Sequence, residues 1–259
     1  MILQWLQKFF RRKTTILASF GRTDTGRVRA NNEDSFAILG DRKLFLVADG
    51  MGGHNAGEVA SRIAIEALVA YLSPSALNGM RGNAEQIQHF LISGLRHAND
   101  EVMRVAAADE GKRGMGCTLV AALVDGQTLH TCHVGDARCY LVDGDSLVQI
   151  TTDHTLVAKV EAAVRGGEEA PVRSVNRHVV TRAIGFPFQE DPEYHACPLV
   201  QGRSRVLLCS DGLWSMVDDA RALEVIQQTS SPEEATEILV REANEAGGKD
   251  NITAVLVYC

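Results

Sequence analysis

The amino-acid sequence predicts an α+β fold built in layers, in which mostly antiparallel strands form sheets and helices cover them. Apolar runs of strand length and amphipathic runs of helix length come in blocks along the chain rather than in strict alternation. Such blocks are typical of α+β domains and argue against a doubly wound α/β fold. Asp125-Gly126 and Asp143-Gly144 lie between short apolar runs, as the turns of β-hairpins do.

The composition indicates a globular protein with a large core. The chain has 259 residues, of which 45% are hydrophobic, and a net charge of −7, which argues against a general nucleic-acid binder. Its six cysteines form no CxxC pair and lie mostly in apolar runs, so we expect reduced, buried thiols. Without a secretory leader or an apolar run of transmembrane length, the sequence predicts a cytoplasmic location.

Residues 1–13, MILQWLQKFFRRK, combine one apolar helical face with four basic side chains. Such a helix can lie on a membrane surface, which would make the protein peripheral to the inner membrane, or dock on a partner. A helix packed on the domain, or a frayed terminus, is the more common outcome. No linker or internal repeat follows, so we expect an extension of residues 1–14 and a single domain of residues 15–259.

Hydrophobic periodicity predicts the order of the elements. Strands are predicted at 15–23, 36–39, 44–48, 117–124, 128–134, 138–142, 146–150, 194–199, 204–209 and 252–258. Helices are predicted at 84–108, 156–165, 219–227 and 232–246, and an earlier one ends near residue 72. Residues 73–83 are expected to be a loop, and the strands between 117 and 150 are expected to form a meander with Asp136 at its second hairpin tip. Residues 152–185 form a compact insert that is either a flap over a site or an ordinary surface excursion.

The chain is organised around a glycine-rich turn that follows the apolar run 44–48. Asp49 ends that run, and Gly50-Met51-Gly52-Gly53 leads to His54 and then to an amphipathic helix. The glycines can serve a tight turn that the aspartate caps. They can equally bring backbone oxygens and a carboxylate to a metal or a phosphate.

Carboxylates recur at the ends of other apolar runs, which favours the metal interpretation. Asp211 follows the run 206–209, Asp136 follows His133-Val134-Gly135, and Asp250 precedes the C-terminal run. Hard oxygen ligands suit Mg²⁺ or Mn²⁺ rather than zinc, for which no matching Cys/His set is present. Arg29 and the pair Glu33-Asp34 would lie near Asp49 if the first strands form a hairpin, although both are also ordinary surface features.

Short motifs follow one another in a fixed order from about residue 16 to residue 257. They are Arg29 with Asn32-Glu33-Asp34, Asp49-Gly50-Met51-Gly52-Gly53-His54, Gly116-Cys117-Thr118-Leu119, His133-Val134-Gly135-Asp136-Ala137-Arg138, Asp153-His154, Thr181-Arg182-Ala183-Ile184-Gly185, Ser210-Asp211-Gly212-Leu213 and Asp250-Asn251-Ile252-Thr253. This order resembles the metal-dependent Ser/Thr phosphatases of the PPM (protein phosphatase 2C) family, bacterial type. The resemblance implies a four-layer α-β-β-α sandwich, with two mainly antiparallel sheets flanked by helix pairs and the metals at one edge.

The resemblance also implies a ligand set for two Mn²⁺ or Mg²⁺ ions. Asp49 would bridge the ions, and Gly50 would offer its backbone carbonyl to one of them. Asp211 and Asp250 would bind the other ion, and Glu33 would contact the cluster directly or through water. Two such ions about 3.5–4 Å apart make hydroxide available at neutral pH for in-line attack on phosphorus.

Other roles carried over from the family concern the surroundings of the two ions. Asp136, with Asp211, would hold the third ion often seen in bacterial members. Asp34 would orient a bound water from behind the ligands, where Asn251 also lies. Arg29 would bind the substrate phosphate with its planar fork.

The leaving alkoxide needs a proton, for which His54 and a metal-bound water are the candidates. In the animal members the histidine directly follows Asp-Gly, whereas Met51-Gly52-Gly53 intervene here. His154 in the insert is a further imidazole, for which a structural role capping the insert's helix is the alternative. The resemblance implies phosphorylated Ser/Thr proteins as substrates, a cognate bacterial Ser/Thr kinase as counterpart, no nucleic-acid partner and a monomeric enzyme.

Other function classes fit the sequence less well. A P-loop would need Gly-Lys-Ser/Thr after the glycines, and an aspartyl-phosphate phosphatase would need an Asp-x-Asp pair after the first strand, and neither is present at those places. A degenerate phosphatase domain that only binds phosphoproteins would be supported by the loss of Asp49, Asp211 or Asp250, yet all are present. A plain structural cation-binding protein would need neither Arg29 nor a flap.

Overall fold

A computed structural model describes residues 17–52, 56–166 and 179–259 of the chain. The strands are β1 (Ala18–Asp24), β2 (Asp34–Leu39), β3 (Leu44–Met51), β4 (Gly116–Cys117), β5 (Leu119–Asp125), β6 (Thr128–Val134), β7 (Arg138–Asp143), β8 (Ser146–Gln149), β9 (Glu193–Pro198), β10 (Arg205–Cys209) and β11 (Ile252–Tyr258). The helices are α1 (Ala56–Tyr71), α2 (Pro74–Met80), α3 (Ala84–Ala108), α4 (Leu156–Arg165), α5 (Asp211–Trp214), α6 (Asp219–Gln228) and α7 (Pro232–Glu245), with a 3-10 turn at Glu110–Lys112. The predicted helix of residues 1–13 and His54 lie outside the described residues.

Two stacked sheets form the centre of the molecule. The five-stranded sheet has the order β1-β11-β10-β7-β8, and the six-stranded sheet has the order β2-β3-β5-β6-β9, with β4 paired to β3. The recorded strand pairs are antiparallel. Helices α1 and α3 cover the six-stranded sheet, and helices α6 and α7 cover the five-stranded sheet. The predicted α+β class with a four-layer sandwich is therefore confirmed.

Burial on both faces explains why the central strands read as continuous apolar runs. In β3, Leu44 and Leu46 pack against α1 and α3, while Phe45 and Val47 pack between the two sheets. Burying one side chain of this size stabilises the folded state by about 1.5–3 kcal/mol. A strand covered on both faces loses the polar alternation of a half-exposed strand, so its run marks the middle of the sandwich.

The predicted four-strand meander is wrong, because its two hairpins belong to different sheets. The β5–β6 hairpin lies in the six-stranded sheet and the β7–β8 hairpin in the five-stranded sheet. The segment 135–137 crosses between the sheets, so Asp136 lies at a crossing and not at a hairpin tip. Gly135 makes this close passage with φ +104°, where an added Cβ would lie 2.5 Å from Thr118.

The first two strands do not form a hairpin either. β1 pairs with β11, whereas β2 pairs with β3, so residues 25–33 cross from one sheet to the other. This crossing still brings Arg29 and Glu33 close to Asp49, as expected from the sequence, but by a different route. Both crossings end at the same edge of the sandwich.

The predicted loop at 73–83 is wrong because it contains helix α2. Ser73 accepts a hydrogen bond from the backbone nitrogen of Ala76 at 3.5 Å, and Pro74 occupies the first helical turn. A serine cap followed by proline is a standard helix start. Leu77 is buried beneath the helix, so its packing holds this short element in place.

The six cysteines are free, as the sequence predicts. Cys117, Cys132, Cys139 and Cys209 are buried, and Cys197 and Cys259 are partly buried. Burial raises the pKa of these thiols above the usual range, which keeps them protonated and inert.

No single helix in the described part of the chain combines the length and apolar character needed to cross a membrane. The consecutive helices α1 and α2, bent by 59° at their junction, meet that test only when taken together. The apolar face of α1 is buried against the six-stranded sheet.

Candidate active site

Several strands end or begin around one open cleft at the edge of the sandwich. It has a volume of about 700 Å³. Its lining residues are Arg29, Glu33, Asp49, Gly50, Met51, Gly52, Thr118, Asp136, Val180, Asp211, Ser215, Met216, Lys249 and Asp250. The candidate metal ligands and the candidate phosphate-binding arginine, which are far apart in the sequence, thus share one cavity.

Asp49 is held at the end of β3 by neighbours on both sides. Asp34 on β2 is its direct cross-strand partner. On the other side, the Thr118 backbone nitrogen donates to the Asp49 carbonyl oxygen at 2.8 Å, and the Asp49 nitrogen donates to Thr118 Oγ1 at 3.3 Å. The Gly50 nitrogen donates to the Glu33 carbonyl oxygen at 3.1 Å. These bonds place the carboxylates of Asp49 and Glu33 and the backbone of Gly50 along one wall.

Asn251 connects the loop that carries Arg29 to the loop that carries Asp250. Its Oδ1 accepts from the Glu33 nitrogen at 2.8 Å, and its Nδ2 donates to the carbonyl oxygens of Thr25 and Asn31, both at 2.9 Å. The side chain is 4% exposed, so these three bonds satisfy a buried amide. A role for Asn251 behind the metal ligands stays a prediction.

Asp34 lies behind the cleft and is 8% exposed. Its Oδ2 accepts hydrogen bonds from Ser210 Oγ at 2.7 Å and Thr253 Oγ1 at 2.6 Å. Its Oδ1 is buried and has no hydrogen-bond partner among the described residues. Burial, together with the charges of Asp211 and Asp250, raises the pKa of Asp34 to about 7, although its two hydrogen bonds act in the opposite direction. The open oxygen suits the predicted role of orienting a water.

The carboxylates in the cleft lie close enough to repel one another, which favours the binding of cations. Burial raises the pKa of Asp49 well above its usual range, and the nearby charges of Asp34, Asp211 and Asp136 raise it further. Asp136 has its pKa raised to about 7 by burial and by Asp211, and burial raises the pKa of Glu33. Divalent ions with a preference for oxygen ligands relieve this repulsion, so the donor set fits Mg²⁺ or Mn²⁺.

Arg29 lies at the mouth of the cleft, where its Nη2 donates to Asp250 Oδ2 at 2.7 Å. About half of its side chain is exposed. This hydrogen bond raises the pKa of the guanidinium, which therefore stays positively charged. Its remaining N–H groups can bind an anion in the cleft.

The sequence left open whether His154 faces the cleft, and the structure shows that it does not line it. Its Nδ1 accepts from the Gly135 nitrogen at 3.0 Å, and its Nε2 lies 3.1 Å from both Glu193 Oε2 and Arg182 Nη1. The ring stacks on His133 with centroids 4.7 Å apart. The alternative prediction, that His154 caps the helix of the insert, is wrong. Thr155 is the cap, because its Oγ1 accepts a hydrogen bond from the Ala158 nitrogen.

The insert 152–185 adjoins the cleft through its described parts. Thr155 and Val180 form an isolated β-bridge, and the Thr181 nitrogen donates to the His154 carbonyl oxygen at 2.7 Å. Val180 lines the cleft. A role for the insert as a flap stays a prediction, as does the role of His54, which lies outside the described ranges.

Some lining residues had no assigned role in the sequence. Lys249, Ser215, Met216 and Val180 reach the cleft from three separate segments. The only available signal was the position of Lys249 beside Asp250, since uncharged loop residues have no recognisable pattern.

Comparisons with known sequences agree on one family. Residues 20–252 match the family described as Protein phosphatase 2C. The serine/threonine phosphatase stp of Listeria innocua is 35% identical over 240 residues, which cover 91% of this chain and 93% of that protein. The matched range contains every candidate site residue.

Solved structures show the same arrangement of the chain. The Mycobacterium tuberculosis serine/threonine phosphatase PstP/Ppp superimposes with a TM-score of 0.81 and 35% identity, covering 93% of this chain and 98% of that one. The PstP catalytic domain in complex with two manganese ions gives a TM-score of 0.79 and 35% identity, covering 93% and 97%.

Proposed function

This chain belongs to the protein phosphatase 2C family of metal-dependent phosphatases, and from that premise we propose that it hydrolyses phosphoserine and phosphothreonine in proteins. The observation that carries the proposal is the convergence of Asp49, Asp211 and Asp250 on one cleft with Arg29 at its mouth. Acidic ligands and an anion-binding arginine in the same cavity suit a phosphate ester.

Two Mn²⁺ or Mg²⁺ ions are the proposed cofactors. The crowded carboxylates support this assignment, as do the two manganese ions in the PstP relative. Asp49 would bridge the ions, Gly50 would offer its carbonyl oxygen, and Asp211, Asp250 and Glu33 would complete the set. When bound, such ions lower the pKa of water and neutralise charge on the phosphate.

A third ion is proposed for Asp136 and Asp211. Asp136 is buried, and the charge of Asp211 contributes to the rise in its pKa to about 7, so the two carboxylates interact across the cleft wall. A cation between them would remove this repulsion.

The protein's own groups would hold the substrate and the water. Arg29, held in position by Asp250, would donate its free N–H groups to the phosphate oxygens. Asp34 would accept a hydrogen bond from water through Oδ1, the atom without a partner among the described residues. His54 is proposed as the proton donor to the leaving alkoxide, with metal-bound water as the alternative.

The biological setting is proposed from the family alone. We expect a monomeric cytoplasmic enzyme that opposes a bacterial Ser/Thr kinase, and no nucleic-acid partner. Contact of residues 1–13 with the inner-membrane surface or with a partner protein stays a prediction.

The test is hydrolysis of a phosphothreonine peptide with and without Mn²⁺. We expect activity that requires Mn²⁺ and is lost in Asp211→Asn. Asp41→Asn, which changes an exposed aspartate in the β2–β3 turn, is the matched control and should retain activity. A folded wild-type protein that shows no turnover with any divalent ion would overturn the proposal and favour a phosphoprotein-binding role.

A further inference from the structure

Two loops join to form one rim of the cleft. The Arg27 nitrogen donates to the Gly248 carbonyl oxygen at 2.7 Å, and Asn251 Nδ2 donates to the Thr25 carbonyl oxygen at 2.9 Å. The contact at Gly248 is tight, because an added Cβ would lie 2.7 Å from Arg27 Cγ. These contacts bring together three positive side chains, which we call the cationic rim: Arg27, Arg29 and Lys249.

Only one member of the cationic rim has an assigned partner. Arg29 pairs with Asp250 and is the proposed phosphate ligand. Lys249 is exposed and lines the cleft. Arg27 is exposed and does not itself line the cleft, but its backbone is bonded to Gly248, the residue that precedes Lys249. Within the described part of the chain, neither the Arg27 nor the Lys249 side chain has a recorded ion pair or hydrogen bond.

Arg113 and Arg203 are also exposed without an ion pair to a described residue, so what distinguishes Arg27 and Lys249 is their position at the cleft. The net charge is −7, and exposed arginines on helices pair readily with carboxylates, as Arg62 does with Glu66 and Arg104 with Glu101. The cationic rim instead leaves two charges available next to a cavity whose other ionisable lining residues, in the described ranges, are carboxylates. Such a placement offsets the repulsion that an acidic substrate would otherwise meet.

Among the described residues that line the cleft, the positive charge is confined to one part of it. The lining residues Met51, Val180, Ser215 and Met216, which come from other elements, carry no charge. A peptide bound across the cleft would therefore meet the cationic rim on only one side of its phosphorylated residue.

We propose that Lys249 and Arg27 form a subsite for a second anionic group of the substrate, either a carboxylate or a second phosphate. This inference rests on the proposed phosphatase function. Lys249 directly precedes the proposed ligand Asp250, so its flexible ammonium group reaches anions close to the bound phosphate. An exposed charge pair of this kind corresponds to a preference of about threefold to fivefold.

The experiment compares peptides of equal length that contain one phosphothreonine. One has neutral flanks, two have a pair of aspartates on the N-terminal or the C-terminal side, and two have a phosphoserine at the same positions. The measured quantity is kcat/KM for loss of the phosphothreonine phosphate, followed by mass spectrometry so that hydrolysis of the phosphoserine is counted separately, and it is expressed as the ratio of each anionic peptide to the neutral peptide. Using this ratio within each variant removes any change in the basal rate.

We expect the wild-type enzyme to prefer an anionic group on one flank by about threefold to fivefold, and this preference to weaken at high salt. Lys249→Ala and Arg27→Ala should reduce the ratio, and Lys249→Glu should bring it below one. Arg203→Ala is the matched control, because Arg203 is exposed in the turn before β10, whereas the cleft residue Asp211 follows the other end of that strand. It should leave the ratio unchanged.

The outcomes separate the subsite from the function on which it rests. A preference for both aspartate and phosphoserine, or for only one of them, supports the subsite and identifies the anion. Equal hydrolysis of all peptides by the wild type, or a preference that persists in Lys249→Glu, overturns the subsite but leaves the phosphatase function intact. Failure to hydrolyse any peptide with Mn²⁺ overturns both.

Discussion

The indole Nε1 of Trp214 donates a hydrogen bond to the backbone carbonyl oxygen of Asp136 at 3.1 Å. Trp214 belongs to α5, the short helix that begins with Asp211. One bond therefore joins the two segments that carry the proposed ligands of the third ion. Arg138 strengthens the link, since its guanidinium lies 3.7 Å from the ring centroid of Trp214 and pairs with Asp153 at 2.7 Å.

Replacing Trp214 with phenylalanine should weaken the binding of a metal ion near Asp136. Trp214→Phe keeps an aromatic ring for Arg138 but removes the N–H donor, at a cost of about 1 kcal/mol of folding stability. We expect the weakest Mn²⁺-binding step, measured by titration calorimetry, to lose about threefold to tenfold in affinity.

Thr229→Ala is the control for a general loss of stability. It removes the bond from Thr229 Oγ1 to the Val225 carbonyl oxygen at 2.8 Å, at the end of α6. It should lower stability by a similar amount and leave Mn²⁺ binding unchanged. Equal losses of Mn²⁺ affinity in both variants would contradict the role of Trp214.

The fork of Arg29 should matter more than its charge. Arg29→Lys keeps a cation but cannot donate to Asp250 and to two phosphate oxygens in one plane. We expect kcat/KM for a phosphothreonine peptide to fall by about tenfold to a hundredfold, which corresponds to about 1.5–3 kcal/mol for charge-assisted hydrogen bonds. Arg22→Lys, at an exposed arginine of β1, is the matched control. Near wild-type kcat/KM in Arg29→Lys would show that a point charge is enough.

Asn251 should affect both stability and turnover. Asn251→Ala removes three hydrogen bonds and leaves the Glu33 nitrogen and the Thr25 and Asn31 carbonyl oxygens without this partner. We expect the free energy of unfolding to fall by about 1–3 kcal/mol in urea denaturation. We also expect lower kcat/KM, because the loop that carries Arg29 loses three of the hydrogen bonds that hold it beside Asp250.

Asn251→Asp distinguishes these two effects. It keeps an acceptor for the Glu33 nitrogen but places a carboxylate oxygen against the two carbonyl oxygens. This variant should be no more stable than Asn251→Ala. A fully stable Asn251→Asp protein would contradict the assigned direction of the hydrogen bonds.

His154 should make the protein less stable in mild acid. Burial, followed by the charges of His133 and Arg182, lowers the pKa of His154 to about 4, although Glu193 opposes the shift. Because the unfolded state binds this proton first, near pH 6.5, stability should fall as pH decreases from about 6.5 to about 4. The contribution is on the order of 3 kcal/mol.

His154→Asn tests this pH dependence. The asparagine oxygen can replace Nδ1 as acceptor for the Gly135 nitrogen but does not titrate in this range. The free energy of unfolding, measured with urea between pH 4 and pH 7, should change less steeply with pH in the variant than in the wild type. His89→Asn, at an exposed histidine of α3, should leave the slope unchanged. Identical slopes in all three proteins would contradict the assignment to His154.

Most helices and strands could be predicted from the sequence, because long apolar or amphipathic runs indicate which residues are buried. β11 was predicted at its observed bounds, and α3 likewise, since each has one strong periodicity and clear ends. The splitting of the predicted strand 117–124 into β4 and β5 was missed, because Thr118 turns its backbone and hydroxyl towards Asp49. Helix α2 was missed although Ser73-Pro74 is a start signal, since the segment is short and carries only a few apolar residues.

The family match confirms the expectation raised by the motifs, whereas the roles of the individual site residues stay predictions. Asp49, Asp211 and Asp250 were identifiable because each is a carboxylate at the end of an apolar run. Lys249 was not, because a single lysine in a polar loop has no distinguishing pattern.

By itself, the sequence determined the class of the fold, the acidic residue types of the site and their attachment to strand ends, because these depend on local composition and periodicity. Only the tertiary structure decided which strands pair, since pairing joins residues far apart in the chain, as in Asp24 with Ile252 and Asp34 with Asp49. The two crossings between sheets, at 25–33 and 135–137, follow from that pairing. They bring Arg29 and Asp136 to the cleft, and the first also places Arg27 beside the loop of Lys249 at its rim.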